Sequence, residues 1–147
     1  MVRSTGKPIG DWQAERHGGI AGEVRVVARI LLPPRDWLLA RIDARFASIL
    51  DGGGSAEIAA LLDRKLEPAL PVMTAIGVRE IGGFVVGTLT RSDALAAGQA
   101  ATRRYAKRQY TWFRNQSPDD WLRIHDPLDA GAARNLASDL AADGGWT

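Results

Sequence analysis

The chain has 147 residues, 46% of them hydrophobic and 24% charged, a composition typical of one globular domain and not of a disordered segment. It contains no cysteine, which excludes a disulfide framework and a thiolate metal site and favours a reducing compartment. Two histidines far apart in sequence are a poor basis for a metal centre, so we expect none. Neither a secretory signal in residues 1–10 nor a membrane span is recognisable, which predicts a cytoplasmic protein.

The hydrophobic pattern of the first half predicts one strand and two helices. Residues 1–22 are rich in glycine and polar residues and predict a loop. The β-branched run Glu23–Leu32 predicts a strand, which a proline pair ends. Apolar residues recur every three to four positions over Asp36–Leu50, and this spacing predicts a helix. Three glycines end that helix, and Ser55 is the expected N-cap of a second helix through Leu62.

The second half is predicted to be mostly helical. Met73–Gly87 predicts a helix that its glycines weaken. Thr90 and Asp93 have the spacing of a capping box, which predicts the start of the longest helix, running to about Arg114. A short strand and a surface helix complete the prediction, Trp121–Ile124 and Ala130–Leu140. The fold class expected from these elements is mainly α with one or two strands.

Positive charge is concentrated on the longest predicted helix. The formal net charge is only +2, yet residues 94–118 hold five Arg or Lys and no Asp or Glu. At 100° per residue, these cations share one side of the helix: Arg103, Arg104, Lys107, Arg108 and Arg114. A cationic strip without a local acid favours phosphate contacts, because each contact releases counterions. A solvated surface face is the alternative.

The opposite arc of the same helix is predicted to pack. It contains Leu95, Gly98, Ala101, Thr102, Tyr105, Gln109, Trp112 and Phe113. Tyr105 and Trp112 could stack on a base, and Gln109 could bond a base edge, but their position on the wheel favours structural roles in the core. The pattern therefore predicts that Tyr105, Gln109 and Trp112 hold the helix in place.

The segment Ala101–Arg114 resembles the tRNA dimethylallyltransferase family, in which a helix with the pattern Thr-Arg-x-x-Ala-Lys-Arg-Gln-x-Thr-Trp-aromatic/aliphatic-Arg lies against the anticodon stem-loop. The matching residues are Thr102, Arg103, Ala106, Lys107, Arg108, Gln109, Thr111, Trp112, Phe113 and Arg114. Three other pieces follow the family's order: Thr5-Gly-Lys-Pro8, Pro34-Arg-x-x-Leu-x-x-Arg-Ile-x-x-Arg45 and Ala75-Ile-Gly-x-Arg-Glu80. The resemblance covers about Val2 to Trp121.

The resemblance implies transfer of a dimethylallyl group from its diphosphate to N6 of the adenosine 3′ of the anticodon, with Mg²⁺ assisting the diphosphate. It implies the C-terminal part of an α/β P-loop-type fold, with a loop-rich remnant at 1–22, the transferase part at 23–125 and a variable helix and tail at 126–147. Arg103, Lys107 and Arg108 would position the tRNA backbone, and Arg104 and Arg114 would extend the strip. By the same resemblance Arg79 is a weaker candidate for the departing diphosphate; a surface helix charge is as good an interpretation. Val78 replaces an aromatic residue common in the family.

The family's phosphate loop, Gly-x-x-x-x-Gly-Lys-Ser/Thr, and its acidic general base have no counterpart in this sequence. No glycine lies five residues before Gly6, and Pro8 occupies the hydroxyl position. We therefore expect no catalytic residue here, no Mg²⁺ or dimethylallyl diphosphate held by this chain alone, and a truncated start relative to the family. We expect a monomer that binds tRNA without transferring prenyl groups. A stand-alone helical RNA-binding module is the alternative, and a structural domain without a nucleic-acid partner is a third.

Overall fold

The computed structural model describes residues 6–14 and 23–144. In chain order they form α1 (Ile9–Ala14), β1 (Arg29–Leu31), α2 (Arg35–Asp51), α3 (Gly54–Asp63), a short 3-10 helix (Pro71–Thr74), α4 (Val78–Val85), α5 (Arg91–Gln116), β2 (Leu122–Ile124) and α6 (Ala130–Gly144). The predicted fold class, mainly α with short strands, is confirmed. Residues 29–132 form one compact unit, and the described residues before 29 and after 132 form another. No helix in the described ranges is both long and apolar enough to cross a membrane.

α2 confirms the helix predicted over Asp36–Leu50, with one more residue at each end. It begins directly after Pro34, which is extended at φ −52° and ψ 135°. The amide of Leu38 donates to the Pro34 carbonyl oxygen at 3.0 Å, so the proline residue provides the first acceptor of the helix.

The junction between α2 and α3 differs from the sequence prediction. α3 begins at Gly54, and Gly53 is its N-cap. Ser55 is not the cap, because its hydroxyl donates to the Leu50 carbonyl oxygen of the preceding helix at 3.1 Å. A Cβ at Gly54 would lie 2.5 Å from the carbonyl oxygen of Ile49. The second helix starts this close to the first only because glycine lacks a side chain.

The helix predicted over Met73–Gly87 is wrong in its first part. A short 3-10 helix ends at Thr74, and α4 begins only at Val78. Gly77 separates them with φ +99°, a backbone conformation that side chains disfavour. The amide of Gly77 donates to the Glu80 carboxylate at 3.0 Å, so the acid at the third helical position caps the new start.

The core lies where α2, α3 and α4 meet. Its buried members are Phe46, Leu50, Ile58, Val78 and Ile81. Leu95 of α5 packs against this cluster. Burying a side chain of this size stabilises the fold by about 1.5–3 kcal/mol each. The cluster therefore fixes the first half of α5 against α2 and α4.

β1 and β2 form a parallel pair, with Ile30 opposite Arg123 in register. The prediction of a strand at Trp121–Ile124 is confirmed within one residue. The strand predicted over Glu23–Leu32 is shorter than expected, because only Arg29–Leu31 pairs with the three residues of β2. The backbone amide of Leu32 adds one further bond, to the Ile124 carbonyl oxygen at 2.8 Å.

α5 begins at the predicted N-cap. The Thr90 hydroxyl accepts a hydrogen bond from the amide of Asp93 at 3.1 Å and donates to the Asp93 carboxylate at 2.6 Å. In addition, Nε of Arg91 donates to the carboxylate of Asp51 at 2.8 Å, joining the first residue of α5 to the last residue of α2. This hydrogen bond raises the pKa of Arg91. α5 ends before Pro118, which disfavours helical backbone at Ser117.

Candidate nucleic-acid interface

α5 is held along α2 by one of its sides. Ala94 and Gly98 are buried in the first half of the helix. At the next residue, the Gln99 side-chain amide donates to the backbone carbonyl oxygen of Asp43 at 3.1 Å. In the second half, Ala106 and Tyr110 are half-buried. These contacts determine which residues of α5 face solvent.

The three residues predicted to hold α5 in place are exposed instead. Tyr105 is 44% exposed, Trp112 is 57% exposed, and Gln109 also lies on the surface. That prediction is wrong, because α2 covers the side of α5 that carries Ala106 and Tyr110, less than a quarter turn away from the predicted arc. A helical wheel shows where apolar residues lie but not which neighbouring helix covers them.

The predicted cationic residues are exposed on the solvent side of α5, and three of them meet in one place. Arg104, Lys107 and Arg108 line a shallow groove on this helix. The other lining residues are Thr111, Trp112, Asn115 and Gln116. Within the described residues the lining contains no Asp or Glu, so the groove is cationic. We call these seven residues the cationic groove. Arg114 is exposed on the same helix.

Arg103 differs from the other four cations because it has an acidic partner. Its Nε donates to the carboxylate of Asp43 at 2.8 Å, and a terminal nitrogen of the guanidinium donates to the other carboxylate oxygen. These hydrogen bonds raise the pKa of Arg103. No Asp or Glu lies near these cations in sequence, but the packing of α2 on α5 brings Asp43 next to Arg103. Arg103 is therefore partly neutralised before any ligand arrives.

Aromatic side chains flank the cationic groove. The guanidinium carbon of Arg108 lies 5.7 Å from the centre of the Tyr105 ring, a cation–π arrangement. The rings of Trp112 and Phe113 meet edge to face, with centroids 5.1 Å apart and an angle of 84° between their planes. Since Tyr105 and Trp112 are exposed, both present aromatic surface to solvent next to the cations.

Arg79 lies in the first turn of α4, and its side chain is exposed. It lines a separate surface depression that also contains Glu80 and Met73. The backbone amide of Gly77 at the start of α4 already donates a hydrogen bond to the Glu80 carboxylate. The depression around Arg79 is lined by no residue of α5, so Arg79 lies outside the cationic groove.

Arg41 and Arg45 are both exposed on α2. The guanidinium carbon of Arg41 lies 4.8 Å from the centre of the Trp37 ring. Asp43, which stands between the two arginines in sequence, bonds Arg103 of α5 instead. These observations give Arg41 and Asp43 structural roles.

The described residues offer no metal site. Across 6–14 and 23–144, no group of three or more His, Cys, Asp or Glu is placed to hold an ion. The imidazole Nδ1 of His125 lies 3.2 Å from the carbonyl oxygen of Leu32, so this ring links the chain after β2 to the residue after β1. The other histidine, His17, lies outside the described residues.

Comparison with known proteins shows which family the chain belongs to. The model of the IPP transferase family matches residues 1–116, which is most of the chain. The chain belongs to the IPP transferase family. The match includes α2, α4 and the whole of α5, and so contains the cationic groove.

Individual relatives of the IPP transferase family match over nearly the whole chain but over only part of their own length. A tRNA dimethylallyltransferase from Sphingopyxis alaskensis is 53% identical over 140 residues, covering 95% of this chain and 46% of that protein. One from Zymomonas mobilis is 42% identical over 129 residues, covering 88% and 41%. The chain thus spans less than half the length of these two relatives.

Two solved structures of IPP transferases resemble the fold. The tRNA delta(2)-isopentenylpyrophosphate transferase from Staphylococcus epidermidis superposes with a TM-score of 0.65 at 26% identity, covering 80% of this chain and 38% of that one. The full-length tRNA isopentenylpyrophosphate transferase from Bacillus halodurans gives 0.63 at 27% identity, covering 81% and 40%. The helical arrangement described above is therefore an IPP transferase arrangement.

Sequence reasoning missed two residues of this site. Asp43 escaped notice because it is 60 positions before Arg103, and only the packing of α2 on α5 brings the two together. Tyr110 was overlooked because it lies just outside the apolar arc, although it is the half-buried tyrosine of α5.

Proposed function

We propose that this chain is the tRNA-binding part of a tRNA dimethylallyltransferase, and that its cationic groove contacts the backbone of the anticodon stem-loop. One observation carries the proposal: Arg104, Lys107 and Arg108 are exposed together on one face of α5 in a member of the IPP transferase family. No acid pairs with any of the three in the described part of the chain, so their charge is available to phosphates.

The spacing of these cations suits a nucleic-acid strand. Arg104 and Arg108 are separated by one helical turn, about 6 Å along the axis, which is similar to the separation of neighbouring phosphates. Guanidinium groups bind phosphate oxygens through two parallel hydrogen bonds, and Lys107 adds a point charge between them. Arg114 extends the surface towards the end of α5. We rank Arg103 below these four, because Asp43 already accepts from its Nε and one terminal nitrogen.

For the full-length enzyme we propose the reaction that the family performs. The N6 amine of the adenosine 3′ of the anticodon attacks the first carbon of the dimethylallyl group, the carbon–oxygen bond to diphosphate breaks, and a base takes the amine proton. The adenosine must leave its stack for this step, and a protein surface that grips the stem holds the loop while it does so. Since tRNA is the proposed substrate, the cytoplasm is the expected compartment.

This chain contributes binding to that reaction and not the chemical step. The sequence contains neither the phosphate loop nor the general base of the family. Arg79 remains a weaker candidate for the diphosphate, and it lines a different depression from the cationic groove.

Fluorescence anisotropy with a labelled anticodon stem-loop RNA tests the binding role. Reversing one charge in Lys107→Glu or Arg108→Glu should raise the Kd about tenfold or more, since each change removes a charge-assisted contact and adds repulsion. Arg64→Glu, at the end of α3 and outside α5, is the matched control and should leave the Kd within about twofold. Equal effects of all three variants would contradict a specific role for the cationic groove.

A further inference from the structure

Trp112 is the most exposed aromatic ring on α5. The sequence pattern predicts a buried residue, yet its side chain is 57% exposed and lines the cationic groove together with Arg104 and Arg108. Because this large apolar ring is in contact with solvent, it contributes little hydrophobic stabilisation to the described fold. Its position one turn after Arg108 suits it to a ligand that carries both negative charge and a flat apolar face.

The environment of the Trp112 ring favours such a ligand. The edge-to-face contact with Phe113 limits the orientations of the indole, so less rotational freedom is lost on binding. Arg108 is likewise held over the Tyr105 ring. Neutral hydrogen-bonding groups complete the rim of the groove, because Asn115 and Gln116 line it too. Amide side chains can both donate to and accept from the edge of a base.

These features together distinguish between possible ligands. A peptide phosphorylated on serine or threonine, or a lipid headgroup, provides negative charge on a group that has no planar ring. A paired nucleic-acid stem provides phosphates, but its bases are stacked inside the helix. An unpaired nucleotide provides the phosphate for Arg104 and Arg108, a ring face for Trp112 and a polar edge for Asn115.

We propose that Trp112 is a stacking platform for one unpaired nucleobase of the RNA. The inference rests on the proposed function and deepens it, because it makes the cationic groove selective for a loop over a paired stem. The base lies on the indole while the neighbouring phosphates bind Arg104 and Arg108. Stacking of this kind tolerates any base, since every base has a π-face. Trp112 thus positions the loop without reading its sequence.

Two RNAs with equal numbers of phosphates test the proposal, a stem-loop with an unpaired loop and a fully paired duplex. Trp112→Ala should weaken stem-loop binding about 5-fold to 100-fold, the range seen when a stacking aromatic is removed. Its affinity for the duplex should stay within about twofold of wild type, since phosphate contacts are unchanged. Trp112→Phe should keep most of the stem-loop affinity. Trp121→Ala, which removes another exposed indole from outside α5, is the control and should change neither Kd.

Tryptophan fluorescence gives a second readout that does not depend on the alanine variant. Stem-loop RNA should quench the emission of the wild-type chain more than that of Trp112→Phe, whereas the duplex should quench both equally. The stacking proposal is overturned if Trp112→Ala loses the same affinity for the stem-loop and for the duplex. It is also overturned if Trp112→Ala binds the stem-loop as tightly as wild type while Arg108→Gln binds it more weakly. Either result leaves the proposed function intact. If the wild-type chain binds neither RNA, the proposed function fails first.

Discussion

The ring of Phe46 lies directly against the backbone of Gly98. A Cβ built on Gly98 would be 1.8 Å from Cζ of Phe46 and 2.2 Å and 2.5 Å from two other ring atoms. Phe46 is only 5% exposed and sits in the core, so the ring has little room to move. α5 can therefore approach α2 this closely only where α5 has no side chain, and this contact sets the direction in which the cationic groove faces.

Gly98→Ala should destabilise the fold. Overpacking a well-filled core costs about 1–3 kcal/mol, and the better helix propensity of alanine returns up to about 1 kcal/mol. The free energy of unfolding from urea denaturation should therefore fall by about 1–2 kcal/mol. Gly82→Ala in α4 is the matched control, because a Cβ there would lie 3.7 Å from Ile58, an ordinary contact distance. It should stabilise by about 0.4–1 kcal/mol. A Gly98→Ala variant as stable as wild type would contradict this account, because it would mean that the Phe46 ring can move aside without cost.

Tyr110→Ala and Trp112→Ala distinguish the observed orientation of α5 from the one that the wheel predicts. Tyr110 is half-buried between α5 and α2, so its removal should lower the free energy of unfolding by about 1–2 kcal/mol. Trp112 faces solvent, and its removal should change the unfolding free energy by no more than about 0.5 kcal/mol. Urea denaturation of both variants shows which substitution lowers the free energy of unfolding more. The reverse order would mean that Trp112 packs and Tyr110 does not.

Thr90→Ala should weaken the start of α5. The hydroxyl of Thr90 accepts from the amide of Asp93, and losing an N-cap of this kind costs about 0.5–2 kcal/mol. Thr90→Ser keeps the acceptor and should stay close to wild type. Thermal and urea unfolding provide the comparison. If serine and alanine variants are equally unstable, the hydroxyl does not act as the cap.

Asp43→Asn should strengthen RNA binding. The substitution removes the negative charge that partly neutralises Arg103, and a charge of this kind near the surface changes affinity by about threefold. Asp51→Asn is a close control, since Asp51 is also on α2 and also pairs with an arginine of α5, Arg91, but at the other end of that helix. Its Kd should remain near wild type. Weaker binding by Asp43→Asn would mean that the carboxylate is needed to orient Arg103 for the RNA.

Local sequence patterns predicted most of the helices, whereas the features that depend on tertiary packing could not be predicted from them. The periodic run of α2 and the cap at Thr90 are encoded by neighbouring residues, so their prediction needed no partner. The break at Gly77 was missed because a glycine is compatible with a weak helix until its φ becomes positive. The exposure of Trp112 and the pairing of Asp43 depend on where α2 lies across α5, which no single segment specifies. The cationic residues themselves were found because like charges at helical spacing are visible in sequence.

The dependence of stem-loop binding on salt tests the central claim most directly. If Arg104, Lys107, Arg108 and Arg114 each contact a phosphate, a plot of log K against log salt concentration should have a slope of about −3, and Arg108→Gln should make it shallower by about 0.7–0.9. Arg103→Gln should leave the slope nearly unchanged, because Asp43 already pairs with that residue. A wild-type slope near zero, or a slope that Arg108→Gln does not alter, would contradict a phosphate-binding surface on α5.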